Sequence, residues 1–344
     1  MANMDIGTPR FYTDLPNFLM SRGIAQNGYF DVQATHAGNN LVGPEAGYSE
    51  ADLFDMKPLN LVSFDTTTDS GNDHVVVSMD LVSTYKKSFV AILNHNLASC
   101  GGKIRINAST SKGHIEAADF GSASLSPSCT EVVNANDIST NVITPDQDGS
   151  TIVKFAESEL LYWGVQFEGD SSFDNTTKLT VGNVLIGEYW DAPNSPNMAV
   201  TRRISFDDLG TIQQSDGGQR YRNLRSYGRA ASTTSRSPFN VTHWAHLMYG
   251  GRIIYDMGFS FLSSANLMPD NYDILDKDDE NFVDDVWNKT NGNHIPFIFS
   301  ADKDSEGDNA ESEHIFARFA NSSLDMTQVS HKLWDINLSI EEEF

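Results

Sequence analysis

Cysteine is nearly absent: the 344 residues hold only Cys100 and Cys129, with no CxxC pair. That excludes a disulfide scaffold and a thiolate metal cluster, leaving two free thiols or a single long-range Cys100–Cys129 disulfide. Positive charge is scarce as well, with 23 Lys and Arg against 47 Asp and Glu, for a net charge of −24. Such a chain lacks the basic footprint that displaces counterions from phosphates, so neither nucleic acid nor an anionic membrane surface is an expected partner. No apolar run approaches the roughly 20 residues needed to span a bilayer, so no membrane insertion is expected. The N-terminal MANMDIGTPRFYTDL has no basic-then-apolar leader pattern, which predicts synthesis in the cytoplasm without a signal peptide. The G-x-S-x-G elbow, the P-loop and the dinucleotide-binding glycine fingerprint are all missing.

What is present is a series of short apolar runs enriched in β-branched and aromatic residues, separated by Gly, Asn, Asp and Ser. They include His74–Leu81, Phe89–Leu93, Lys103–Asn107, Thr151–Phe155, Leu160–Phe167 and Lys178–Leu185. Helical periods between them are lacking, so a β-sandwich is expected rather than βαβ units. The stretch from Ala108 to Ser150 is polar and reads as a long excursion with a few short strands. DAPNSPN at 191–197 reads as a linker, because two prolines and two asparagines in seven residues break either kind of element. Further strands are expected at Arg252–Phe261, Ile295–Ser300, His314–Ala320 and Leu333–Ile340. Short helices are expected around Asn281–Thr290 and Val241–Tyr249. The fold class is therefore mainly β: an N-terminal arm (1–44), a β-sandwich domain (45–192) and a β-rich domain with one or two short helices (198–344).

Several groups invite chemistry. Asn94-His95-Asn96 ends an apolar strand, where a histidine is a catalytic base, a metal ligand or a polar corner. With no nucleophile or acidic orienter beside it, the corner reading is preferred, in which these side chains satisfy backbone groups that the ending strand leaves open. Asp302, Asp304, Glu306, Asp308 and Glu313 follow the spacing of a calcium loop, with Gly307 at its turn. The flanking segments look like strands, however, so a solvated acidic loop is preferred over a weak Ca²⁺ site, and no other cofactor is expected. His243 and His246 have zinc-ligand spacing but lack the adjacent Glu and a third ligand, which favours a core or interface role. Asp276–Glu280 reads as a solvated charge run leading into a helix. Gly217-Gly218 reads as a turn between strands. Trp163 and Trp190 are candidates for stacking on sugar rings, against the commoner role of tryptophan in a core.

Seven arginines, Arg202, Arg203, Arg220, Arg222, Arg225, Arg229 and Arg236, fall within residues 200–240. In so acidic a chain they form a basic strip. Guanidinium groups pair bidentately with carboxylates, so the strip fits the acidic surface of a neighbouring copy in a closed ring.

VAILNHNLASCGGKIRINAS, then LYWGVQFEGD and LTVGNVLIGEYWD, resemble the galactose-binding-like (discoidin-type) jelly-roll domains of tailed-bacteriophage structural proteins. The matching residues are His95, Asn96, Leu97, Tyr162, Trp163, Gly182, Ile186, Gly187, Glu188, Tyr189 and Trp190. The C-terminal HIFARFAN and LWDINLSIEEEF resemble the closing strands of phage tail-tip and baseplate proteins, through Phe316, Ala317, Arg318, Trp334 and Glu341–Glu343. The resemblance implies a non-enzymatic virion tail component whose first domain is a jelly roll and whose partners are other tail proteins. Two alternatives remain beside it: a carbohydrate-binding module for host surface polysaccharide, and a polysaccharide depolymerase with a carboxylate pair.

Overall fold

A computed structural model describes residues 6–25, 28–33, 40–68, 73–82, 85–116, 126–135, 137–169, 173–205, 210–224, 239, 251–270, 280–307, 310 and 313–343. The chain is mainly β. Its first half holds β1 (Arg10–Asp14), α1 (Leu15–Ser21), β2 (Phe30–Gln33), β3 (Asn40–Leu41), β4 (Val62–Phe64), β5 (Asp73–Asp80) and β6 (Lys87–His95). Then come α2 (Leu97–Cys100), β7 (Gly102–Ser109), α3 (Lys112–Glu116), β8 (Thr130–Val133), β9 (Asp137–Ser139), β10 (Val142–Thr144), β11 (Gly149–Ser158), β12 (Tyr162–Gly169) and β13 (Leu179–Asp191). The second half adds β14 (Thr201–Ser205), β15 (Gly210–Gln214), β16 (Arg220–Leu224), β17 (Arg252–Ser263), α4 (Ser264–Leu267), β18 (Phe297–Ser300), β19 (His314–Phe319), β20 (Met326–Ser330) and β21 (Leu333–Glu342).

The smaller sheet runs β2-β5-β12-β7-β10-β9, with β3 joining β5 in parallel. Its inner face follows from the period of two. Val75, Val77 and Met79 lie beside Trp163, Val165 and Phe167, which lie beside Ile104, Ile106 and Ala108, and all are essentially buried. Each such aliphatic or aromatic side chain stabilises by roughly 1.5–3 kcal/mol. This face packs on Val90, Ile92, Val153, Val184 and Ile186 of the larger sheet, forming the sandwich core of the first half. The polar excursion contributes α3, β8, β9 and β10, so it is woven into both sheets.

The larger sheet runs β14-β17-β21-β19-β18-β1-β13-β6-β11-β8 and passes through both halves without a break. The join is β1, which pairs β13 on one edge (Phe11↔Trp190) and β18 on the other (Phe11↔Phe299). Residues 10–14 are buried, so the expected arm is instead a structural strand at the centre of the molecule. Its polar letters disguise it in the sequence. Arg10 is neutralised by Asp191, Thr13 Oγ1 donates to Glu188 O, and Asp14 caps α1 by accepting from the Asn17 N–H at 2.9 Å. Phe11 enters the second core, within 5.2–6.2 Å of the rings of Trp190, Phe282, Phe297, Phe299 and Phe319.

The linker at 191–197 is strapped down by Ala192 N–H to Pro9 O and Asn197 N–H to Gly258 O. The helix expected near 281–290 is a run of π geometry over Val283–Asn288, with Phe282 and Val286 buried as the spacing predicted. The second predicted helix, at 241–249, lies outside the described residues. Cys100 and Cys129 are free and buried, and burial pushes both thiols up to about 12, so the disulfide alternative is set aside. Among the described residues no helix is long and apolar enough to cross a membrane.

Candidate functional site

His95 sits in a closed corner. The Leu97 N–H donates to its Nδ1 (3.3 Å), so Nε2 carries the proton and donates to Thr151 Oγ1 (2.9 Å). That hydroxyl donates in turn to Asn134 O (3.1 Å). Burial lowers the His95 pKa to about 3, so the ring is neutral and has no proton to exchange with solvent at pH 7. Asn94 turns the chain with φ +54°, its Nδ2 donating to Pro58 O (2.9 Å). Asn96 accepts from the Thr180 N–H (2.7 Å) and donates to Lys178 O (2.8 Å). The three side chains tie the end of β6 to the loop at Pro58 (Asn94), to β11 through the Thr151 hydroxyl (His95) and to the start of β13 (Asn96).

The remaining candidates separate. Trp163 is fully buried, stacked on Phe155 at 5.1 Å with Nε1–H donating to Leu160 O, so it is a core residue with no face for a sugar. Trp190 is half-buried, packed on Phe11 and Phe282 with the rest of the indole in an open cleft. Arg202 and Arg203 are exposed on β14, where Arg203 pairs with Asp256 (2.6 Å) and Arg202 lies 6.0 Å from the Tyr255 ring. Arg220 is exposed at the start of β16, and Arg222 lies in the same strand at the register of Ile212. Arg225, Arg229, Arg236, His243, His246 and Asp308 lie outside the described residues. Glu306 is turned inward, accepting from Arg10 (3.0 Å) and Lys154, and therefore acts as an internal counterion. Asp302 Oδ1 accepts from the Asp304 N–H (3.2 Å). Among the described residues no group of three or more His, Cys, Asp or Glu gathers with the geometry of a metal site.

The site that the structure builds lies at the end of β13. That strand pairs β6 only as far as Gly187↔Phe89, while on its other edge β1 follows it to Asp191↔Arg10. Beyond Gly187 one edge is therefore open. Opposite it, β11 bulges: Lys154 pairs Phe89 and Ser158 pairs Lys87, so residues 155–157 are looped out and re-aimed, as bulges beside sites commonly are. Pro193, Asn266 and Glu280 close the far side. The result is a cleft of about 440 Å³ lined by four carboxylates (Glu157, Glu188, Asp191, Glu280) with Tyr189, Trp190 and Phe155, and, among the described residues, by no lysine or arginine.

The cations lie underneath or at the side. Arg10, 5% exposed, grips Asp191 through Nε (2.6 Å) and Nη2 (3.0 Å) while its guanidinium lies 4.3 Å from the Tyr189 ring centre. Lys289 holds Glu188 (2.8 Å) and Asp285 (3.2 Å). Burial would lower the Lys289 pKa, but these two carboxylates outweigh it and hold the ammonium above the usual lysine range. Lys86 reaches Glu157 at 3.4 Å. Burial opposes its charge too, and the carboxylates of Glu157, Glu188 and Glu280 together keep its pKa raised. Glu280 is exposed and has no ion-pair partner among the described residues. Arg10, Lys289, Glu157 and Glu280 were not singled out from the sequence. The available signal was EYWD, a charged and aromatic ending on the otherwise apolar LTVGNVLIG.

No protein-family model matches the chain, and no curated protein matches it. Among solved structures, chitosan-binding module 1 from a chitosanase/glucanase of Paenibacillus sp. IK-5 is similar at 15% identity and TM-score 0.29, covering 48% of this chain and 97% of the module. A selenomethionine-labelled mutant of that module covers 51% and 98%, at the same identity and TM-score. A likeness this slight carries no argument about the present chain.

Proposed function

We propose that the chain is a non-enzymatic structural component of a bacteriophage tail, of the tail-tip, baseplate or fibre-junction kind. In this reading it assembles with copies of itself, as a ring, and with other tail proteins through its arginine-rich segment, and it resides in the virion. The observation that carries the reading is the β15–β16 hairpin. Among the described residues it is a two-stranded sheet joined to no other strand, inside the arginine-rich segment, with residues 213, 214 and 216–220 exposed. Two strands alone are marginally stable in water, so such a hairpin is suited to gain its footing from a partner.

The motif shared with phage jelly rolls supports the same reading, because its residues do structural work. Gly182 passes beneath Pro58 O, Gly187 beneath Thr13 O, Glu188 anchors Lys289, and Trp190 packs on Phe11. The test is sedimentation and light scattering of the full chain, with pull-down against dissociated tail proteins of the cognate virion. Closed rings or a specific tail partner are the expected result. A strict monomer with no tail partner would refute it, and saccharide release from host envelopes would refute the non-enzymatic part.

A second reading, binding of host surface polysaccharide, is favoured by Trp190, whose indole lines an open cleft rimmed with hydrogen-bonding carboxylates. It predicts retention on host polysaccharide that is lost in Trp190→Ala.

A further inference from the structure

The cleft beside β13 and the hairpin β15–β16 are complementary. The cleft is acidic, with four carboxylates and no cation among the described residues that line it, and with Lys86 reaching Glu157 at its side. Its volume of about 440 Å³ lies within the roughly 300–1,000 Å³ of sites that enclose a ligand. The hairpin is narrow and solvated: Ser215–Gln219 form the turn, with Gly218 at φ +83°, and the exposed Arg220 follows at once as its first cation. Asp216 is the one acidic residue of that turn.

Among the described residues of one chain the two do not meet. None of the described hairpin residues lines the cleft, and β14, which precedes the hairpin, is six inter-strand steps from β13, about 29 Å at the usual spacing. A surface that fits a different surface of the same molecule makes a head-to-tail contact, and such a contact closes into a ring when the rotation between copies allows it.

We propose that the hairpin tip of one copy docks into the acidic cleft of the next, with Arg220 set between Glu157 and Glu280. Arginine is suited to this place, since its planar donor fork serves two carboxylates and also stacks on an aromatic face such as Trp190. Glu188 and Asp191, already neutralised by Lys289 and Arg10, form the floor. Glu280, without an ion-pair partner among the described residues, and Glu157, which only Lys86 at 3.4 Å offsets, supply the charge that draws the tip in. The proposal rests on the assembly reading above and names the surface through which it works.

The test is a charge-swap cycle on the full chain, read by sedimentation velocity at physiological salt. Arg220, Glu157 and Glu280 are all exposed, so each reversal spares the cores. Arg220→Glu and the pair Glu157→Arg with Glu280→Arg are each expected to weaken self-association at least tenfold. Combining them should restore most of the loss, because the charges meet again with signs exchanged. If Arg220→Glu weakens association and the cleft variants associate like the native chain, the hairpin docks elsewhere; the inference then falls while assembly stands. If the cleft variants lose retention on host polysaccharide and keep their association, the cleft belongs to a glycan and the inference falls again. A native chain that stays monomeric, alone and with tail proteins, removes both.

Discussion

Gly187 is the position where a single methyl group should do the most damage. A Cβ placed there would stand 2.0 Å from Thr13 O and 3.2 Å from Leu15 N, whereas real Cβ atoms essentially never come within 3.0 Å of a neighbour. Both obstacles are backbone, so no side chain can swing aside. To admit the methyl group, β1 must move about 1 Å from β13. A ladder bond of about 2.9 Å stretched that far is lost, which takes out the pairing at Asp14↔Gly187 and strains Thr13↔Glu188. Overpacking costs about 1–3 kcal/mol and each lost backbone bond about 1 kcal/mol. Gly187→Ala should therefore destabilise by about 3 kcal/mol.

The assay is urea unfolding followed by tryptophan fluorescence and by far-UV circular dichroism. The native chain should unfold with the two probes coincident, because β1 belongs to both halves. In Gly187→Ala the midpoint should fall, and the probes should separate as the halves uncouple. Gly113→Ala is the control, since its nearest neighbour is Ser111 Oγ at 3.9 Å, and it should change stability by less than about 0.5 kcal/mol. A Gly187→Ala chain within about 1 kcal/mol of native, with coincident probes, would refute the claim that β1 is the strand joining the halves.

Two further outcomes follow from buried charge. His95 has a folded pKa of about 3 against an ordinary 6.5, so the unfolded chain takes up the proton first as pH falls. Its contribution is thus complete above about pH 6.5 and is lost toward pH 3. His95→Gln keeps hydrogen-bonding capacity without the titration, so its Tm deficit against native should shrink between pH 7 and pH 4; a constant deficit would show that the ring is not buried neutral. Arg10→Met leaves Asp191, partly exposed on the cleft floor, without its partner and should cost about 1–3 kcal/mol, with Arg10→Met/Asp191→Asn recovering part of it. Equal stability of single and double variants, by chemical denaturation, would count against the ion pair as the cause.

The strands were legible because their inner faces carry a plain period of two. KIRIN and YWGVQF each alternate, and each lies in the smaller sheet with its apolar set inward. What the pattern could not give is pairing between distant segments. RFYTD has one phenylalanine and three polar letters in five residues, and nothing local announces that Asp191 and Glu306, far along the chain, will neutralise Arg10. The same reason hid the partners of Glu306. Acidic spacing at 302–313 says how carboxylates are placed along the chain, but Glu306 faces Arg10 and Lys154 because β1 and β11 run past it. The two tryptophans also looked alike in sequence. They differ because Trp163 lies mid-strand in a sandwich, whereas Trp190 lies where its strand has outrun a neighbour.

That overrun links the fold to its candidate surface. β13 has thirteen residues and β6 has nine. The surplus is what β1 pairs with to bind the second half, and it is also what leaves an open edge on the other side. A β13 shortened at its C-terminal end to match β6 would close the cleft and lose the seam together. The carboxylates gathered there cost stability as like charges, and Arg10 and Lys289 offset only the inner two. Glu157 and Glu280 stay at the rim, with Lys86 as the one cation near them among the described residues. Repulsion of that kind is relieved when a cation enters. A copy of this chain presents one, Arg220, on a hairpin that pairs with no other strand among the described residues.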